Sequence, residues 1–184
     1  MTLLKITQIG HPVLREVATE VEDVADPDIQ KLMGDMAATM ADAPGIGLAA
    51  PQVYRSTRVI VFSVPAERLG PDEPPGPEGI TALANPSFEP LDDEMVTGVE
   101  GCLSIPQLRG LVPRYRRIVY RGIAADGSLV EQRAEGIVAR VVQHEIDHLD
   151  GVLFLDRMCD LKALAIDEEL HHLLNTETPE DPAQ

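Results

Sequence analysis

Gln143-His144-Glu145-Ile146-Asp147-His148 sets two histidines four positions apart, with a glutamate directly after the first. On a helix, residues four apart share a face. His144 and His148 can then aim ring nitrogens at one cation. Glu145 lies beside that cation, placed to take a proton from a water. The competing reading is two surface histidines among incidental acids. The apolar residues around the motif argue against it, because a partly buried pair of histidines with a glutamate needs compensation.

A cation held by two histidines needs at least one more ligand. Downstream the options are Asp156, Glu168, Glu169, His171 and His172, none in a convincing setting, and His171-His172 reads as a solvated pair. Upstream lies Glu100-Gly101-Cys102-Leu103-Ser104, followed by Ile-Pro. That context puts Cys102 at a strand end, where a thiolate faces a cleft. A lone cysteine is commonly just a small buried apolar residue. Combined with His144 and His148, however, Cys102 gives a Cys-His-His set with an open fourth position, the composition of a catalytic site. Cys159 has no such neighbourhood. A third segment, Gly45-Ile46-Gly47-Leu48-Ala49-Ala50-Pro51-Gln52, lets backbone approach something closely and ends on an amide donor. It lacks the third glycine and the following helix of a dinucleotide fingerprint, so it is not a phosphate cradle.

The elements that must position these residues are partly legible. Asp26-Pro27-Asp28 opens a helix, whose core stripe is Ile29, Leu32, Met33, Met36 and Met40 and which Pro44 stops. Strands are predicted over 57–63, 81–84, 87–91, a broken run 111–125, and 129–133 after the Asp126-Gly127 turn. A second helix is expected over 134–149. Ile137, Val138, Val141, Val142 and Leu149 form its apolar face, and Gly151 stands just past its end. A third is expected over 156–174. Helices and strands are segregated rather than alternating, which predicts an α+β fold. The organisation expected is one catalytic domain over 1–174 and a disordered acidic tail over 175–184.

Composition narrows the functions. The chain has 184 residues, with 15 basic against 31 acidic side chains and a formal charge of −16. That balance argues against general nucleic-acid binding and against anionic membrane surfaces. No apolar run is long enough for a transmembrane helix. The N-terminus lacks signal-peptide features, and two cysteines cannot build a disulfide framework, so the cytoplasm is the expected compartment. Two segments stand apart. Residues 65–79 hold five prolines, three glycines and four acids, and read as a surface insertion between strands. Residues 101–125 carry Arg109, Arg114, Arg116, Arg117 and Arg121 with no acid, a stripe that could face nascent-chain or ribosome components or, the reading favoured, balance the acidic stretch from Glu89 to Glu100.

Taken together, GIGLAAPQ at 45–52, EGCLS at 100–104 and QHEIDH at 143–148 resemble, in the same order, the three signature motifs of the peptide deformylases. The resemblance extends from GHPVLR at 10–15 through ALANP at 82–86 to GVLFLDR at 151–157. It implies hydrolysis of the N-formyl group from the formylmethionine of nascent chains, releasing formate. It implies antiparallel strands packed around a central metal-binding helix, with a C-terminal helix. Cys102, His144 and His148 would bind a divalent metal, Fe²⁺ by family habit, with Zn²⁺, Ni²⁺ or Co²⁺ able to replace it. Glu145 would be general base and then acid, with water on the metal as the attacking group. Gln52 and the Leu103 N–H would hold the oxyanion. Gly45 and Gly47 would run along the peptide, Ile46, Leu103 and Val141 would form the methionine pocket, and Arg109 would contact substrate backbone. Gln143 and Asp147 would support the ligands or pack the helix. Some bacterial relatives dock on the ribosome through the C-terminal helix. Here residues 156–184 hold eight acids against two bases, a poor match to RNA.

Three other readings compete. A short-peptide protease would want its third ligand downstream. A cysteine-nucleophile hydrolase leaves the second histidine and its helical spacing unexplained. A purely stabilising metal site has no need of Glu145.

Overall fold

The computed structural model describes residues 1–71 and 73–175. Nine-tenths of the expected tail therefore lies outside the described residues. The first helix, α1 (Pro27–Asp42), is capped as its sequence dictates: the Asp26 carboxylate accepts from the Asp28 N–H at 2.7 Å. Two strands follow, β1 (Gly47–Ala49) and β2 (Val59–Phe62), then β3 (Thr81–Pro90), β4 (Met95–Cys102) and β5 (Ile105–Tyr115). Next come β6 (Arg117–Ala124), β7 (Leu129–Glu135) and the second long helix, α2 (Gly136–Leu149). The chain ends through α3 (Phe154–Arg157), β8 (Leu164–Ile166) and α4 (Leu170–Asn175).

The strands form two antiparallel sheets, ordered β1-β2-β3-β6-β7 and β4-β5-β8. The expected α+β architecture, with antiparallel strands around a central helix, holds. All four residues of β2 are buried, because the sheet is covered on both faces there. Alternation along a strand sends neighbours to opposite sides. Val59 and Val61 pack with Met33, Met36 and Met40 of α1, whereas Ile60 and Phe62 pack with Val138, Val142 and Ile146 of α2. The methionine stripe is therefore core filling. The opposite side of α2 faces β4 and β5, so this helix sits between the sheets, and from Val138 to Leu149 every residue is buried.

Several expectations need correcting. The predicted strands 81–84 and 87–91 are one strand. A register shift separates Ala84 from Ser87, and Asn85 sits there at φ 48° with its amide paired to the Val21 backbone. The run 111–125 is broken at Arg116, where the chain leaves one sheet for the other, and its first strand begins earlier, at Ile105. Helix α2 begins at Gly136, not Ala134. Gly136 takes φ +60°, which reverses the chain from β7 into the helix and is open to glycine at little cost. Gly151, at φ +72°, fills the expected position past its end. The continuous helix over 156–174 does not form. Asp160 caps a 3-10 turn at Leu161–Ala163, and β8 pairs with β5 instead, leaving the C-terminal helix as α4 alone. Strand β4 had no sequence signal. Its two glycines and its one acid, Glu100, are poor strand formers, and pairing with β5 holds it.

Candidate active site

Helix α2 sets His144 and His148 against β4 and Glu145 against Gly47 of β1, and all three are buried. The two imidazoles meet edge to face at 5.0 Å between ring centres. Cys102 ends β4 at the tight return into β5, as expected of a strand-end thiolate, and its Sγ lies 3.2 Å from His148 Nε2. One donor atom from each of Cys102, His144 and His148 lies within 4.8 Å of the others, the only such His, Cys, Asp and Glu group among the described residues.

The third segment reaches the same place. A 3-10 turn at Ala50–Val53 carries Gln52, whose Oε1 accepts from the Ala49 N–H at 2.8 Å. That fixes the amide, leaving Nε2 to donate toward Cys102 Sγ at 3.4 Å and Ser104 Oγ at 3.3 Å. A Cβ on Gly47 would stand 2.2 Å from Glu145 Oε1, and one on Gly45 would stand 2.9 Å from Leu103 Cδ1. These glycines bring backbone within contact of the helix motif and of the Cys102 turn.

Between them lies a cavity of about 520 Å³. Gly45, Ile46, Gly47, Gln52, Cys102, Leu103, Arg109, Val141, His144 and Glu145 all line it. His148 lies behind this wall, 1% exposed. Arg109 is on the wall but committed, with Nε on Asp167 at 2.9 Å and Nη1 on the Leu108 carbonyl. Cys159 is exposed and far from this constellation in role, and His171 and His172 are exposed on α4, as their solvated reading expects.

Sequence reasoning missed the charged layer beneath the site. Glu100 is buried and accepts from Arg114 Nε (2.9 Å) and Nη2 (3.0 Å), from Arg140 Nη1 (2.8 Å) and from His144 Nδ1 (2.9 Å). Asp147 joins the layer through Arg114 and Arg157. A signal existed. Glu100 stands two residues before Cys102 on one strand face, and Arg140 stands four before His144 on one helix face. The bond to Glu100 leaves His144 Nε2 as the ring nitrogen free to turn toward Cys102 and His148. Gln143 bridges α2 to β5, its amide bonded to both backbone groups of Tyr115. The arginines of the basic stripe are neutralised as expected: Arg116 by Glu94 and Glu135, Arg117 by Asp92 and Glu94, Arg121 by Glu89 and Glu131.

The protonation states follow from these surroundings. Burial alone would push the Glu100 carboxyl up, but the Arg114 guanidinium and His144 hold it well below the usual carboxylate range. Burial also opposes charge on Cys102, yet the imidazoles of His148 and His144 outweigh it and bring the thiol well below its ordinary value. Burial pushes Glu145 up to about 7, with the two imidazoles working against it. A carboxyl tuned to that range can both take and return a proton near neutral pH. Among the described residues, two buried side-chain polar atoms, Glu145 Oε2 and His148 Nδ1, have no hydrogen-bond partner. Convergent sulfur and nitrogen donors beside a buried carboxylate with a free oxygen fit a divalent cation with an open coordination position.

Two antiparallel sheets around an H-E-x-x-H helix, with a thiolate and a fixed amide on the same cavity, define a hydrolase of the type whose site can hold such a cation. The chain belongs to the polypeptide deformylase family, whose sequence profile matches residues 3–163. It is 48% identical to peptide deformylase 1 of Bordetella pertussis over 165 residues, 90% of this chain and 93% of that one. The fold is similar to the crystal structure of peptide deformylase from Thermotoga maritima, with a TM-score of 0.77 and 37% identity, covering 87% of this chain and 100% of that one. A Met-Ala-Ser-bound peptide deformylase from Acinetobacter baumannii is similar to the same degree, with a TM-score of 0.77, 37% identity and coverage of 85% and 99%. No helix among the described residues is long and apolar enough to cross a membrane.

Proposed function

We propose that this protein removes the formyl group from N-formylmethionyl peptides and nascent chains in the cytoplasm, releasing formate, with residues 1–174 acting as one catalytic domain. The observation that carries the reading is the convergence of Cys102, His144 and His148 on one another, with Cys102 and His144 in the wall of the cavity that Glu145 also lines and His148 just behind it. These three side chains would hold one divalent metal, Fe²⁺ first, with Zn²⁺, Ni²⁺ or Co²⁺ as substitutes. Such an ion supplies Lewis acidity and lowers the pKa of water it binds. A Cys-His-His set offers softer donors than three histidines, which suits iron, nickel or cobalt as well as zinc.

The remaining steps belong to the chain. Glu145 takes the proton of the attacking water and later gives it to the leaving amine. Its burial suits both halves, since a group poised near neutrality is neither too weak a base nor too weak an acid. Gln52 Nε2, fixed by the Ala49 bond, and the Leu103 N–H donate to the oxygen that becomes negative. Each such donor is typically worth about 3–4 kcal/mol in the transition state. Strands β1 and β4 are end strands of their sheets, so each has an outer edge beside which a peptide can lie. A peptide laid between them would run past Gly45, Gly47 and the Cys102 turn. Ile46, Leu103 and Val141 supply apolar wall for the methionine side chain, and Arg109 stands where it can meet substrate backbone. A formamide carbonyl is small and unhindered, so exclusion of larger acyl groups would give the selectivity. Ribosome docking through the C-terminal segment finds no support in its acidic composition.

The test is formate release from formyl-Met-Ala-Ser by protein purified without oxygen, with metal content measured on the same sample. Release at a rate that tracks bound metal supports the reading. Cleavage of internal peptide bonds without formate release would favour a protease instead.

A further inference from the structure

The described residues of the proline-rich insertion are held by contacts to the rest of the fold. Its first turn, Ala66–Arg68, is closed by the Arg68 N–H on the Pro65 carbonyl at 2.9 Å. Leu69 packs onto the core around α2. The Glu73 carboxylate accepts from the Gly70 N–H at 3.0 Å and lies against Gly136, where α2 begins. Gly76 rests on Val138. The insertion is thus anchored along the start of the helix that carries the site, and Arg68 comes to the wall of the same cavity as His144 and Glu145.

Arg68 differs from the other guanidiniums there. Arg109 is paired with Asp167 and Arg140 with Glu100. Arg68 is exposed and, among the described residues, forms no ion pair or side-chain hydrogen bond. It also stands at the junction of the 520 Å³ cavity with a second one of about 420 Å³, since both include Arg68, Val99, Ile137 and Arg140 in their walls. A peptide chain leaving the reacting centre toward the second cavity must pass it. In a chain of net charge −16, a cation at that junction with no ion pair among the described residues is a local exception.

We propose that Arg68 is a specificity residue that receives a carboxylate of the substrate downstream of its formylmethionine, the side chain of an Asp or Glu in the next few residues. The inference rests on the deformylase reading above. A partly exposed pair of this kind gives a modest gain, and comparing Asp with Lys counts attraction and repulsion together.

The test uses C-terminally amidated formyl-Met-Xaa-Xaa-Ser peptides with Ala, Asp or Lys at either Xaa, and the metal-loaded full-length protein. The readout is the Asp-to-Lys ratio of kcat/KM within one enzyme preparation, so any general change in rate cancels. In at least one of the two positions, Arg68→Gln should lower that ratio about three- to ten-fold at low salt, and Arg68→Glu should lower it further. Arg68→Lys should keep most of it, and added salt should shrink the difference between wild type and Arg68→Gln. Ratios equal in wild type and Arg68→Gln at both positions, with formyl-Met-Ala-Ala-Ser still deformylated, would overturn the role of Arg68 alone. Failure to deformylate any peptide would overturn the function itself and the inference with it.

Discussion

Gly47 and Glu145 are in such close apposition that a single methyl group between them, 2.2 Å from Glu145 Oε1, could not be accommodated without moving the carboxylate. Gly47 starts an edge strand and Glu145 sits mid-helix, so the contact ties the glycine-rich segment to the H-E-x-x-H helix at the group proposed to move the proton.

Gly47→Ala should therefore impair catalysis through Glu145 rather than through the metal ligands. Displacement of a reacting group by about 1 Å can cost about 10²-fold in rate. The expected outcome is a loss of that order in kcat, with bound metal unchanged and a stability loss of about 1–3 kcal/mol from overpacking. Kinetics, metal analysis and thermal unfolding of one preparation check it. A wild-type kcat in Gly47→Ala would show that the contact does not constrain Glu145.

Glu145→Gln keeps the shape of the side chain and removes its basicity. Turnover should fall about 10²–10⁴-fold while metal stoichiometry stays intact, because Glu145 lies beside the three donor side chains without joining them. Loss of metal from this variant would reassign Glu145 as a ligand.

Glu100 compensates two buried guanidiniums and orients His144. Removing its charge in Glu100→Gln leaves Arg114 and Arg140 short of a partner. Breaking a buried pair in this way typically costs about 3–5 kcal/mol, and loosening the partner of a ligating histidine costs about 10–100-fold in metal affinity. Denaturant unfolding and a metal competition assay should both register the change. A variant as stable as wild type, with unaltered metal affinity, would leave Glu100 without the supporting role given to it.

Oxidation should inactivate an iron-loaded site without unfolding the protein. A thiolate with an open coordination position exposes both iron and Cys102 sulfur to oxygen, and oxidation of either removes the site. Nickel-loaded protein should lose activity in air more slowly than iron-loaded protein, while circular dichroism stays constant in both. Equal lifetimes, or inactivation that coincides with unfolding, would point to another cause.

Cys102 should act as a ligand and never as a nucleophile. No acyl-cysteine should accumulate during turnover, as mass spectrometry of the quenched enzyme can establish. An adduct of formyl mass on Cys102 would reverse the assignment.

Local chemistry was legible in the sequence wherever a short-range rule governs it. The four-residue spacing of His144 and His148 predicts a shared helix face, Asp26-Pro27 predicts a helix start, and the apolar run within 57–63 predicts a strand. The three motifs, in order, carried the family resemblance and with it the fold class. Those rules stop where pairing between distant segments decides. The leucines of 161–174 have helical spacing, yet Leu164–Ile166 becomes a strand because the edge of β5 has unsatisfied backbone groups that a helix there would leave unpaired. Glycine-bearing β4 likewise exists only through its ladder to β5. The sequence by itself determined which side chains can bind a cation and move a proton, since residue type and helical spacing are local properties. Only the tertiary structure decided that Glu100, Arg114, Arg140 and Asp147 form one charged layer under those side chains, and that Arg68 reaches the same cavity. Burial and the meeting of separate strands, helix and loop set those relationships, and no spacing along the chain encodes them.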